Sequence, residues 1–243
     1  MCFSVLGIDS PQLLKEHFLA EFEGDEFVVS KALAESCPEL VKFPESDQRI
    51  YPGYMTYVVR SQNNKKLITP MRYRVRPHHS LEEVPSKFNV FNARLDKLDQ
   101  RKTWQGILNN RGIFMFKAFY EWVTYENTKQ LVRFFPKDQD YIIAPVLWDH
   151  WENPKNKKES FYSFAIITDD PNEEVERAGH DRSPIYLQEG FIDSWLEGKN
   201  QSIGEMRHIL SQRTKTYYQY ELDSIPKKKK RTTQKEDDQL KLF

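Results

Sequence analysis

The second residue of the chain is a cysteine, and its position gives Cys2 a chemistry that Cys37, the other cysteine, does not share. Cysteine is small enough for Met1 to be removed ahead of it, leaving a free α-amine and a thiol on adjacent carbons. Such a 1,2-aminothiol condenses with an aldehyde to an imine, and the thiol then adds to that imine to close a five-membered thiazolidine. The ring closure is intramolecular, which makes the product durable. An α-amine titrates near ~8 and a thiol near ~8.5, so both reactive forms coexist around neutrality. Taken alone, a cysteine at position two is more often an accident of the second codon, so the reading depends on what accompanies it.

Four runs accompany it: Phe91-Asn92-Ala93-Arg94; Ala118-Phe119-Tyr120-Glu121-Trp122; Val146-Leu147-Trp148-Asp149; and Ile166-Ile167-Thr168 followed by His180-Asp181-Arg182-Ser183-Pro184. With the initial Met-Cys, their order and spacing over roughly residues 1 to 200 resemble the SOS response-associated peptidase (SRAP) family. The resemblance implies that Cys2 is the nucleophile, that Asn92 holds the N-terminal amine, that Glu121 is an acid/base and that His180 assists proton transfer. It also implies that Arg94 contacts a DNA backbone, with Arg182 beside it, and that the target is an abasic site in single-stranded DNA. No cofactor is implied. An abasic sugar is mostly a closed hemiacetal, so a proton must move between ring oxygen and hydroxyl to expose the aldehyde, work suited to a carboxyl group and an imidazole. Partial burial of Glu121 beside Phe119, Tyr120 and Trp122 would raise its pKa toward neutrality. Two other functions stay open: a thiol peptidase, as the family name suggests, and a passive single-strand binder. Away from these motifs, such a glutamate is usually a solvent-facing sheet residue and such a histidine a carbonyl-bonding cap.

The elements that must position these residues are legible from periodicity. A strand is predicted over Cys2–Ile8, then a helix opened by Ser10 and Pro11 with Leu14, Phe18 and Phe22 at four-residue intervals. Strand-like runs follow at Met55–Arg60, Leu67–Val75, Ile113–Thr124, Leu131–Phe135, Tyr141–Trp148 and Phe161–Thr168. Asp170 and Pro171 open a short helix that Gly179 is suited to end, leaving His180 just beyond the terminus. Phe191–Leu196 and Ile203–Leu210 read as helices. The expected fold is α+β: a mainly antiparallel, barrel-like β core flanked by helices over residues 1–222, with a flexible basic tail over 223–243.

The 36 basic and 36 acidic residues cancel, so any affinity for nucleic acid must come from local clusters. In Arg72-Tyr73-Arg74-Val75-Arg76, strand alternation puts three guanidinium groups on one face, a spacing suited to successive phosphates, with Tyr73 as a further DNA contact, or to a charge-blunted edge strand. Here the chain departs from its resemblance, since Tyr73-Arg74 replaces the usual Trp-Gly and Phe3-Ser4 follows Met-Cys where Gly-Arg is common. Pro226-Lys227-Lys228-Lys229-Lys230-Arg231 reads as a nuclear-localisation-like or nucleic-acid-binding run, or as a solvated linker. Gln239-Leu240-Lys241-Leu242-Phe243 resembles the short peptide by which bacterial repair proteins bind the β sliding clamp, with Gln239, Leu240, Leu242 and Phe243 as its contacts. The histidines show no HExxH and the cysteines no CxxC spacing, so no metal site is expected. With no secretory signal and no apolar run near the roughly 20 residues of a membrane span, a soluble monomer is expected, cytoplasmic in a bacterium or nuclear in a eukaryote.

Overall fold

The computed structural model describes residues 2–125, 127–198 and 201–223. In chain order its elements are β1 (Ser4–Leu6), α1 (Gln12–Phe18), β2 (Glu21–Phe22), α2 (Gly24–Ser36), β3 (Arg49–Ile50), β4 (Met55–Gln62), β5 (Lys65–Tyr73), β6 (Asn92–Arg94) and α3 (Lys102–Gln105). There follow β7 (Arg111–Phe116), β8 (Ala118–Tyr125), β9 (Thr128–Pro136), β10 (Ile142–Trp151), β11 (Phe161–Asp169), α4 (Glu173–Arg177), β12 (Ser183–Pro184), α5 (Ile192–Leu196), α6 (Ile203–Ser211) and β13 (Tyr218–Leu222).

Two sheets make the core. One runs β13-β9-β8-β1-β3, all antiparallel. In the other, β5, β4, β7, β10 and β11 pair in sequence, and β11 returns to β5 in parallel through Tyr162↔Met71, Ser163↔Arg72 and Phe164↔Tyr73. That return closes a five-stranded barrel, which removes the open edges that would otherwise template association. Its interior is filled by aromatic and branched side chains such as Phe114, Phe164, Val58 and Val146, all at most 1 % exposed. Gly112 lies at the tightest point: a Cβ there would stand 2.7 Å from Val58 Cγ1. β6 adds to the barrel by pairing in parallel with β11, Asn92 opposite Ile166. The architecture is the expected α+β fold with a mainly antiparallel, barrel-like core.

Local departures have local causes. The single run expected over Ile113–Thr124 is two strands, because the chain passes from the barrel to the other sheet at Lys117, whose N–H bonds Leu6 and whose ammonium pairs with Asp9. Helix α1 ends at Phe18, with Leu19 in the left-handed conformation (φ 54°), so Phe22 sits on β2 rather than on the helix. Helix α4 ends as expected in a Schellman arrangement, with Gly179 at φ 92°, its N–H on Glu176 and that of His180 on Val175. The expected clamp-binding residues Gln239, Leu240, Leu242 and Phe243, and the basic run at 226–231, lie outside the described residues. No helix among the described residues is long and apolar enough to cross a membrane.

Candidate active site

Cys2 lies where the two sheets meet. Pairing of Ser4 with Tyr120 and Val5 with Phe119 lays the start of the chain along β8, and the Phe3 N–H bonds the Tyr120 carbonyl at 2.9 Å. Arg49 fastens this strand from the far side: its Nε donates to Ser4 Oγ at 2.8 Å, it stacks 3.2 Å above the Tyr120 ring, and it pairs with Asp223 at 2.9 Å. Cys2 is 1 % exposed. From the barrel side, the Tyr73 hydroxyl donates to the Cys2 carbonyl at 3.1 Å and Asn92 Nδ2 donates to the same oxygen at 3.3 Å. The two donors, from β5 and β6, fix the peptide plane that carries the thiol.

Glu121 and His180 complete the group. Alternation along β8 points Glu121 inward with Phe119 and Val123, while Trp122, 41 % exposed, faces away. Trp122 therefore contributes less to the burial of Glu121 than its place in the sequence suggested. His180, presented by the turn after α4, sets Nε2 3.3 Å from Glu121 Oε2 and Nδ1 3.0 Å from the Arg182 carbonyl. Burial pushes the Glu121 carboxyl up to about 8 and lowers the His180 imidazole. At neutral pH both are uncharged. Assigning the His180 proton to Nδ1, where it bonds the Arg182 carbonyl, leaves Nε2 to accept from the Glu121 acid. Burial also holds the Cys2 thiol well above its ordinary range, with the Glu121 charge adding to the effect.

This arrangement joins a carboxylic acid, an imidazole and a thiol at one point, and it brings together all four sequence-predicted residues, Cys2, Asn92, Glu121 and His180. Asn92 holds the Cys2 carbonyl, whereas the resemblance implied a grip on the amine. Tyr73, first read as a DNA contact, is fully buried against Phe91 and Phe164 and belongs to the clamp on Cys2. Burial raises its hydroxyl far above the ordinary range, so it stays a donor. Its distance from Cys2 in sequence, and its place among arginines, concealed this role.

The sequence profile of the SOS response associated peptidase (SRAP) family matches residues 1–228. The chain belongs to this family. Among relatives of this SRAP protein, the abasic site processing protein HMCES of Pongo abelii is 24% identical over 190 residues, covering 66% of this chain and 54% of that protein. The abasic site processing protein YoqW of Bacillus subtilis is 24% identical over 190 residues, covering 77% of this chain and 82% of that one. The chain thus spans about half the length of the vertebrate relatives it matches. In fold, it is similar to a crystal structure of a Bordetella bronchiseptica protein (TM-score 0.69, 18% identity, 92% of this chain and 100% of that one). A Bacteroides thetaiotaomicron protein gives a TM-score of 0.66 at 16% identity, covering 91% of each chain.

The basic track expected of this SRAP chain needs correction. Arg72, Arg74 and Arg76 do share a side, but they converge inward on Glu83, at 2.8, 3.6 and 3.9 Å. Arg72 lies over Phe161 and Arg76 over Trp151, and both residues are at most 5 % exposed. β5 ends at Tyr73 because Arg74 takes φ 145°, a conformation that favours glycine and strains other residues. Removing Glu83 leaves the buried Arg72 guanidinium without its bidentate partner. After discounting for the 39% exposure of Glu83, Glu83→Ala should cost about 2 kcal/mol in urea unfolding. Arg182, too, is withdrawn, with only 9% of its side chain exposed. Arg94 is accessible, at 42%, and is held in a two-point pair with Asp96 at 2.7 and 2.8 Å.

Proposed function

We propose that this protein, once Met1 is removed, captures the aldehyde of an abasic site in single-stranded DNA as a thiazolidine on Cys2 and so shields the lesion. The observation that carries the reading is the 3.3 Å contact between Glu121 and His180 beside a clamped Cys2. Glu121, protonated at neutral pH, gives its proton to the sugar ring oxygen while His180 takes the hydroxyl proton from C1′. The C1′–O4′ bond breaks and the aldehyde is exposed. The Cys2 amine attacks C1′, water leaves and an imine forms. The thiol then adds across the C=N bond, its proton passing through the Glu121 carboxylate to the nitrogen. The tyrosine and asparagine on the Cys2 carbonyl hold amine and thiol on one side of the incoming carbon, which is the orientation ring closure needs.

The test is incubation of the full chain with an oligonucleotide carrying one abasic site, followed by intact mass measurement. The expected species lacks Met1 and weighs the sum of protein and oligonucleotide less one water. Retention of Met1, or an unmodified protein after incubation, overturns the reading. Cleavage of peptides in the same buffer, with no DNA adduct, would favour the thiol peptidase.

A further inference from the structure

Helix α2 carries apolar side chains that no described residue covers: Val28 is 71 % exposed. Phe27 and Val28 form one wall of a groove of about 600 Å³, and Phe43, Ile50, Met55 and Tyr57 line the rest. The Phe27 and Tyr57 rings lie flat against each other, centroids 5.1 Å apart, so the helix side of the groove is a continuous aromatic surface. The groove reaches Gly7 and Ile8, past the end of β1 that lies away from Cys2, and it shares no residue with the group around Glu121 and His180. An apolar hollow of this size with so open a rim needs an occupant.

The chain supplies one. After β13, Asp223 pairs with Arg49 at 2.9 Å and its N–H bonds the Leu131 carbonyl at 2.8 Å. Arg49 stands on β3 between Gln48 and Ile50, both of which line the groove. Residues 224–243 therefore leave the described fold at the strand that borders it. Beyond Pro226 their apolar side chains are Leu240, Leu242 and Phe243, and three acids, Glu236, Asp237 and Asp238, stand just ahead of these. The groove offers the opposite charge: Lys31 lines it, Lys42 adjoins Phe43, and among the described residues neither has a carboxylate partner. The stretch from Asp223 to Leu240 spans up to about 55 Å when extended, ample to round one edge strand. Tethering at that length gives an effective concentration on the order of millimolar, so even a weak intrinsic affinity fills the groove.

We infer that residues 239–243 dock in this groove of their own chain, with Leu240, Leu242 and Phe243 on the apolar walls and the acids at 236–238 toward Lys31 and Lys42. While docked, the same side chains are withheld from any other protein, so the groove regulates what the segment can bind. The inference stands apart from the chemistry proposed for Cys2.

It is tested on the full chain with a short amine-reactive cross-linker, using equal amounts of protein grown on light and on heavy nitrogen, mixed before reaction and weighed as peptides afterwards. A link between Lys31 and Lys241 is expected within single chains, light to light or heavy to heavy. Val28→Glu, at an exposed position of α2, and Leu242→Ser, outside the described fold, should each lower its yield by about fivefold or more. Leu81→Ala, which removes an exposed apolar side chain elsewhere, should leave it unchanged. Links that join light to heavy chains would give the groove to a second copy and overturn the inference. So would the absence of the link, or a yield that neither Val28→Glu nor Leu242→Ser reduces.

Discussion

A Cys2→Ser protein is expected to yield no adduct that survives heating with abasic DNA, a loss of at least a hundredfold against the unaltered chain. Serine keeps the α-amine, so an imine still forms. Its hydroxyl is a far weaker nucleophile than a thiol and is held neutral, so the five-membered ring does not close to a durable product. The imine hydrolyses when the sample is boiled. Borohydride reduction before denaturation should recover the adduct, and that recovery separates loss of the ring from loss of the fold. Because Cys2 is buried, a serine hydroxyl there costs about 1–3 kcal/mol unless it finds a partner, so a modest fall in thermal midpoint is expected with the fold retained. A heat-stable adduct of undiminished yield from the serine protein would refute the thiazolidine.

The second large effect is expected at Glu121, where Glu121→Gln should slow adduct formation by about 10²- to 10⁴-fold at saturating DNA. Glutamine fills the same space and donates a hydrogen bond, but it cannot release a proton to the ring oxygen. The pH profile of the unaltered protein should show the same group: its rate falls as pH rises through about 8, where the acid form is lost. The substitution should move stability in the opposite sense to function. In the unfolded chain the carboxyl ionises near its ordinary 4.5, whereas in the native protein burial keeps it protonated to about 8. Its contribution to stability is thus fully present below pH 4.5 and lost as pH rises toward 8. Glutamine does not titrate. The variant should therefore gain on the unaltered protein across that window, by a few kcal/mol at the upper end, in paired urea titrations at pH 4.5 and 8. A rate unchanged by the substitution would remove Glu121 from the chemistry.

What was legible in the sequence followed from short-range rules. Alternation found most barrel strands, the Gly179 stop placed His180, and the ordered motifs named Cys2, Asn92 and Glu121. Helix α2 was missed because its apolar residues wind around the axis without a stripe, leaving Val28 71 % and Val29 41 % exposed. β13 was missed because only Tyr218 of its five residues is buried. Arg72 on β5, with Arg74 and Arg76 just beyond its end, shows the deeper limit. The three do fall together on Glu83 although the strand stops at Tyr73, yet alternation cannot say which side of a strand becomes interior. That choice was made by Glu83 and by Phe161 and Trp151, residues supplied by a loop and by two later strands. Tyr73 was misread for the same reason, since nothing near it in the chain announces that its hydroxyl meets residue 2.

The parallel return of β11 onto β5 has a bearing on how the protein is made. Met71 and Tyr162 are far apart along the chain, and Asn92 gains its lateral partner Ile166 only from the same late strand. The entropy of closing such a long loop is met before the contacts that reward it form, so this step belongs late in folding. Until the later strands arrive, Cys2 lacks the finished surroundings in which Tyr73, Asn92, Glu121 and His180 meet it. Under the proposed chemistry, competence toward aldehydes would thereby be tied to completion of the barrel, and a nascent or misfolded chain would carry its aminothiol without the means to use it efficiently.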